Sequence, residues 1–349
     1  MSEVRIRREG RTGRITLNRA DALNALTRDM VVAIERALLD WAVDDAIALV
    51  LIDGAGDRAF CAGGDLSSIH AALVAGDGDA VRAFWRDEYR MNATVAAYPK
   101  PVVAFLHGLT LGGGVGLGCH ASHRIVDDTS RIALPECGLG LVPDVGSSRL
   151  LRRAPGRMGM FLGITGRPMA AADAVWAGFA DTYVPGGWDG LKDALSDGGD
   201  VAIIEGVPAD GGTLAGLRAE VDELFLAASL GDLARFLVRA DGPAARIVRT
   251  ALDRNAPLAM ACALAIQGRL NPDAGIVPSL DLEYRYVARI AGGRDFAEGI
   301  RARLIDRDDA PRWDHAGPDA VTEGEVSAML RPLPPGEGWG AATEMGEWT

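Results

Sequence analysis

Two glycine-bearing loops, each lying beyond a buried strand-like run, constrain this chain more than any other feature. The first, Phe60-Cys61-Ala62-Gly63-Gly64-Asp65-Leu66, comes after Ala48–Gly54; the second, Gly108 to Gly118, comes after Val102–Leu106. Glycine lets a backbone approach a ligand closely, and a helix start leaves N–H groups unpaired and pointing outward. Two such groups from different loops, converging on one oxygen, would make an oxyanion hole. The same glycines would equally permit tight helix–strand packing, so neither loop decides the matter alone.

The surrounding pattern alternates between strand and helix over the first 190 residues. Arg14–Leu17 reads as a short strand, and Leu26, Met30, Ile34, Leu38 and Trp41 share one helical face. A long helix is expected over about Asp79–Ala97, stopped by Pro99-Lys100-Pro101 ahead of the buried strand Val102–Leu106. Strands Arg124–Asp127 and Ile132–Leu134 follow, so the class is α/β. After Pro185 the texture changes to a Gly- and Asp-rich connection around one short helix, then to amphipathic helices such as Leu214–Leu237 and Leu280–Ile290. The expected division is a core over 1–190, a helical region over 191–330 and a flexible tail over 331–349.

Composition excludes several function classes. At 48% hydrophobic and 24% charged, the 349 residues are those of a soluble globular protein. Thirty-six basic against 48 acidic side chains, net −12, argue against a nucleic-acid partner, which needs a basic face. A small anion needs only a local arginine cluster and is not excluded. No apolar run of spanning length occurs and no apolar stretch follows Met1–Ile6, so a cytoplasmic protein with no membrane partner and no signal peptide is expected. Cys61, Cys119, Cys137 and Cys262 are scattered, as buried reduced thiols are. The five histidines form no zinc pattern, so no metal is expected, although His120 and His123 could share a helix face.

The chemistry-bearing candidates lie in Leu134–Gly146. Glu136 and Asp144, each preceded by proline, sit eight apart in an apolar, glycine-rich stretch, and apolar surroundings raise a carboxyl pKa toward acid–base work. Asp144 could instead cap a helix starting near Ser147. Glu88 by itself reads as a solvated helix face. Gly116-Leu117-Gly118-Cys119-His120-Ala121 fits a loose dinucleotide fingerprint, but its helix is too short for a crossover unit. No nucleophile elbow of the G-x-S-x-G kind occurs.

Taken in order, Ile15–Arg19, Ala22–Leu26, Phe60–Leu66, Pro99–Ala104, Gly112–Gly114 and Pro135–Gly140 resemble the crotonase (enoyl-CoA hydratase/isomerase) superfamily. The resemblance implies a spiral of ββα units with C-terminal helices, and an acyl-CoA as substrate rather than cofactor. It also implies that the N–H groups of Gly64 and Gly113 hold the thioester oxygen. Backbone around Ala22, Ala62, Asp65 and Leu66 would line the CoA path. Trimers, or hexamers built from them, are the family's usual assemblies.

Hydratases of the superfamily use two glutamates, one at the position of Glu136 and one two residues past the glycine triplet, which here is Gly116. Trp85–Asn92, His107–Leu117, Val142–Gly146 and Asp295–Ala302 instead resemble the 3-hydroxyisobutyryl-CoA hydrolase branch. That likeness implies catalysis by Glu136 and Asp144, with Glu88 holding the hydroxyacyl end. Ser147-Ser148-Arg149 departs from the more glycine-rich pattern of the branch. Hydrolysis of a short 3-hydroxyacyl-CoA, 3-hydroxyisobutyryl-CoA in valine breakdown, is therefore the expected activity. A hydratase or isomerase using Glu136, and a catalytically silent acyl-CoA-binding protein, are the alternatives.

Overall fold

The computed structural model describes residues 2–340. Two sheets grow in step along the chain. Strand β1 (Val4–Glu9) turns back antiparallel onto β2 (Thr12–Leu17); then come helix α1 (Arg28–Ala42), β3 (Leu49–Gly54) and β4 (Ala59–Cys61). Helices α2 (Leu66–Val74) and α3 (Gly78–Ala96) lead to β5 (Val102–Phe105), β6 (Leu109–Leu111) and α4 (Gly113–Gly118). Strands β7 (His123–Val126) and β8 (Arg131–Ala133) complete the next step. Helices α5 (Ser147–Arg153), α6 (Met158–Thr165) and α7 (Ala171–Ala177) precede the last strand, β9 (Thr182–Tyr183).

The larger sheet has the order β1-β2-β3-β5-β7-β9, parallel after the first pair, and the smaller one is β4-β6-β8. From β3 on, the pairs β3/β4, β5/β6 and β7/β8 each add one strand to each sheet, with helices returning the chain between them, which makes the expected spiral of ββα units. Burial explains the continuous apolar runs: β3 and β5 are covered on both faces, so they carry no alternation.

The remaining helices are α8 (Asp189–Gly198), α9 (Leu214–Leu224), α10 (Leu230–Leu237), α11 (Pro243–Arg254), α12 (Pro257–Arg269), α13 (Ile276–Ile290), α14 (Arg294–Ile300) and α15 (Glu323–Leu330). The single helix expected over 214–237 is two, because Ser229 starts α10 by accepting the Asp232 N–H at 3.1 Å. The division expected at residue 190 falls inside α8, which covers the larger sheet: Trp188 packs on Phe105, and Lys192 pairs with Asp53 at 3.1 Å. One continuous core runs from Phe60 and Leu117 of the spiral into Met260 and Tyr284 of the C-terminal helices. The tail expected from Arg331 is also not loose through Gly340. Trp339 is buried and its indole Nε1–H donates to Asp281 at 2.7 Å. The rest of that expected tail, 341–349, lies outside the described residues.

Candidate active site

Strands β4 and β6 are neighbours in the small sheet, so the two glycine loops leave it side by side. The Leu26 N–H donates to the Gly63 carbonyl at 2.8 Å and the Asp65 N–H to the Leu26 carbonyl at 2.9 Å. Extended backbone alternates sides, so the Gly64 N–H between them points away from Leu26. In the second loop Gly112 takes a φ of +48°, which favours glycine, and Gly113 opens α4 with an N–H that has no intrahelical acceptor. A Cβ on Gly113 would lie 3.4 Å from the Gly64 nitrogen, so the two donors adjoin. Two preorganised donors on one space can stabilise an oxyanion.

Beside them is a cavity of about 60 Å³, lined by Gly64, Gly113, Glu88, Glu136, Asp144 and the rings of Trp85 and Phe296 among others. Its carboxylates come from separate elements. Glu136 begins the turn Glu136–Leu139 after β8, and both of its carboxyl oxygens are buried without a hydrogen-bond partner among the described residues. Asp144 does not cap α5, whose cap is Gly146; its Oδ2 accepts the Tyr89 hydroxyl at 3.1 Å. Glu88 is 2% exposed, so it is no solvated face, and a Cβ on Gly113 would stand 2.3 Å from its Oε1. α3 buries Glu88 and Tyr89 together because helices pack on it from several sides.

The three carboxyls have no cation among the causes that shift them, and all move the same way. Burial, then Asp144, holds Glu88 well above the usual carboxylate range. Burial, then the charges of Asp144, Glu283 and Glu88, does the same to Glu136. Asp144 is pushed up to about 8 by burial and then by Glu283. Like charges sharing a buried site cannot all ionise, so near neutral pH the cluster retains protons and offers both an acid and a base.

The position of the second hydratase glutamate is filled. A Cβ on Gly116 would meet Asn92 Nδ2 and the Val145 Cβ, each at 2.7 Å. Ser147 and Ser148, the departure noted in the sequence, are buried and not among the residues lining the cavity.

Of the residues expected along the CoA path, Ala62 and Leu66 line both the cavity and an adjoining groove of about 550 Å³. The Asp65 side chain is engaged elsewhere, pairing with Arg19 at 2.8 Å and capping α2. Ala22 lies on an exposed turn and lines neither space, although Leu23 beside it accepts the Ala62 N–H at 3.0 Å. Arg167, Arg254 and Arg303 border the groove and supply local positive charge on an acidic chain. Among the described residues no group of three His, Cys, Asp or Glu side chains is placed to hold a metal; His120 and His123 part company, to Val145 and Ser122 respectively. Tyr89 and Glu283 are the site residues that sequence reasoning missed, since each is more than 50 positions from Asp144.

A family model described as enoyl-CoA hydratase/isomerase matches residues 12–330. The chain is 35% identical to a mitochondrial 3-hydroxyisobutyryl-CoA hydrolase of Danio rerio, covering 95% of this chain and 90% of the relative. A solved structure described as an enoyl-CoA hydratase from Rhodobacter sphaeroides 2.4.1 is 51% identical with a TM-score of 0.93, over 97% of this chain and 99% of that one. A carnitinyl-CoA dehydratase from Mycobacterium thermoresistibile is 38% identical with a TM-score of 0.91, over 96% and 98%.

Proposed function

The chain belongs to the enoyl-CoA hydratase/isomerase family, and from that premise we propose that it hydrolyses a short 3-hydroxyacyl-CoA thioester, 3-hydroxyisobutyryl-CoA being the best-fitting substrate. The observation that carries this reading is the carboxylate set: Glu136 and Asp144 face one cavity, while position 116 has neither a carboxylate nor room for one. Curated relatives named as 3-hydroxyisobutyryl-CoA hydrolases support it.

The thioester carbonyl oxygen sits between the Gly64 and Gly113 N–H groups, whose donation grows stronger as the oxygen takes on negative charge. The acyl chain is short because Trp85 and Phe296, with ring centroids 5.6 Å apart, wall the cavity. The buried, unpaired Glu88 Oε1 accepts the hydrogen bond of the acyl 3-hydroxyl. Glu136 either takes a proton from the attacking water or adds to the carbonyl to give a mixed anhydride that water then opens. Asp144, protonated near neutral pH, gives its proton to the departing thiolate; it regains one from the water that opens the anhydride or, where Glu136 acts as base, the proton that Glu136 took up. The CoA moiety leaves through the groove past Ala62 and Leu66, with Arg167, Arg254 and Arg303 beside its phosphates.

Thiol release from a panel of acyl-CoA esters tests the proposal. Glu136→Gln and Asp144→Asn are each expected to lower kcat at least about a hundredfold; if both retain near-wild-type release, the mechanism is wrong. In a single turnover in heavy-oxygen water, label in Glu136 identifies the anhydride route with water attacking the Glu136 carbonyl, since the general-base route labels the product alone. The likeness to the Rhodobacter structure favours water addition as the second reading. Crotonyl-CoA absorbance loss without thiol release would establish it, and binding with no turnover on any ester would indicate a silent acyl-CoA-binding protein.

A further inference from the structure

We propose that Glu283 is a positioning residue for the Asp144 carboxyl, fixing the turn that carries it and presenting a second carboxyl to it across the buried site. The inference rests on the reading of Asp144 as the proton donor. Glu283 lies on α13, outside the spiral, and is 0% exposed. Its two carboxyl oxygens accept the N–H groups of Gly146 at 2.7 Å and Ser148 at 2.9 Å. No cation among the described residues pairs with it.

The turn it grips is strained. Val145, a β-branched residue, has a φ of +56°, and Gly146 follows at +79°. Side chains rarely adopt that region, and such conformations persist only where surroundings over-determine them. Here the opposite side is held by His120, whose Nε2 lies 3.0 Å from the Val145 carbonyl. A carbonyl only accepts, so Nε2 carries the hydrogen, and burial keeps the ring neutral by lowering its pKa to about 3. A Cβ at Gly146 would meet Ile276 at 2.7 Å and His120 at 2.9 Å, so the turn is enclosed from both sides. The direction of the Asp144 side chain follows from this backbone.

The electrostatic part follows from what faces Asp144. Glu88 and Tyr89 come from α3, Glu136 from the turn after β8 and Glu283 from α13, while neutral His120 holds the neighbouring Val145 carbonyl and Tyr284 of α13 packs on Tyr89. The arginines of the same elements are turned elsewhere: Arg86 to Tyr284, Arg82 to Asp79 and the Ala288 carbonyl, Arg90 to Asp87, and Arg149 to the Ala274 carbonyl. Glu283, itself raised to about 7 by burial, is the charge that acts most strongly on Asp144. A negative charge there disfavours ionisation of Asp144 and keeps it a proton donor through neutral pH.

Glu283→Gln removes the charge while its carbonyl keeps one of the two backbone bonds. The infrared carbonyl band of protonated carboxyls, titrated with pH, reads Asp144 directly, the band lost in Asp144→Asn giving the assignment. In Glu283→Gln that titration is expected to move down by about half a pH unit or more. The limb of the pH–kcat profile that belongs to Asp144 should move with it. A merely structural role would lower kcat evenly across pH and leave the titration in place, which would overturn the proposal. Should Glu283→Gln not fold, Glu283→Asp, which draws the charge back by one methylene, takes its place, with a smaller shift in the same direction expected and an unmoved titration decisive against. Wild-type protein that releases no thiol from any ester would reject the hydrolase reading alone, because the infrared titration needs no turnover.

Discussion

Gly116 does as much to define this site as the carboxylates do, because the Cβ it lacks would collide with Asn92 and Val145. Restoring the second hydratase glutamate is therefore not a matter of one substitution. Gly116→Glu is expected to lower folded yield and thiol release together, and to give no crotonyl-CoA absorbance loss. Soluble protein that gains water addition would show that the site differs from a hydratase by that side chain alone. Glu136 and Asp144 stand out in the sequence as proline-preceded acids among apolar neighbours, whereas position 116 draws notice only through the family likeness. Glu88 taken alone reads as a solvated helix face, and only the family likeness assigns it to the acyl end, because the rule that a helical Glu faces solvent fails when α1, α2, α4 and α13 all pack on α3. Glu283 gave no signal at all: it lies on a helix whose register says only that the position is buried, and its partners Gly146 and Ser148 are some 135 residues away.

The C-terminal helices reach the chemistry through a stack of rings. Tyr89, which donates to Asp144, meets the edge of Tyr284 at 5.6 Å and of Trp339 at 6.3 Å between centroids. Trp339 is anchored to Asp281 of α13, so the segment beyond α15 closes over the back of the site. Trp339→Ala removes a buried aromatic, a change that typically costs about 3–5 kcal/mol. The expected outcome is a lower Tm, with kcat reduced several-fold and KM little changed, because Tyr89 loses the ring that fixes it while the groove beyond Ala62 is untouched. A variant with lowered Tm but wild-type kcat would confine Trp339 to stability. Element periodicity read well where one face is apolar, as in α1 and α13. It did not foresee the burial of Trp339, which lies within 331–340 where prolines and glycines suggest a loose end. It also overlooked β1, an edge strand whose Val4 alone is buried.

For the whole molecule, the site lies where the spiral and the C-terminal helices share one core, so folding itself brings Glu88, Glu136, Asp144 and Glu283 together out of water. The net charge of −12 bears little on this, because exposed carboxylates are ionised throughout the neutral range and their mutual repulsion hardly changes there. What changes is the buried set. Asp144 is pushed up to about 8 in the folded chain against 3.8 when unfolded, so between those limits the folded chain binds more protons than the unfolded one. Stability from this group is complete below pH 3.8 and is lost as pH rises through 8. His120 acts in the opposite sense: lowered from 6.5 to about 3, it favours the folded state as pH rises toward 6.5 and contributes no slope above that. The window from 6.5 to 8 thus isolates the carboxyls. Tm is expected to fall across it in the wild type, and to fall less in Asp144→Asn, which stays neutral in both states. The variant should be the more stable of the two at pH 8 by a few degrees, on the scale of about 2–4 °C per kcal/mol. Parallel slopes in calorimetry would mean that Asp144 is already ionised in the folded protein at neutral pH, and with that the proton donor of the proposed hydrolysis would have to be sought in Glu88 or Glu136.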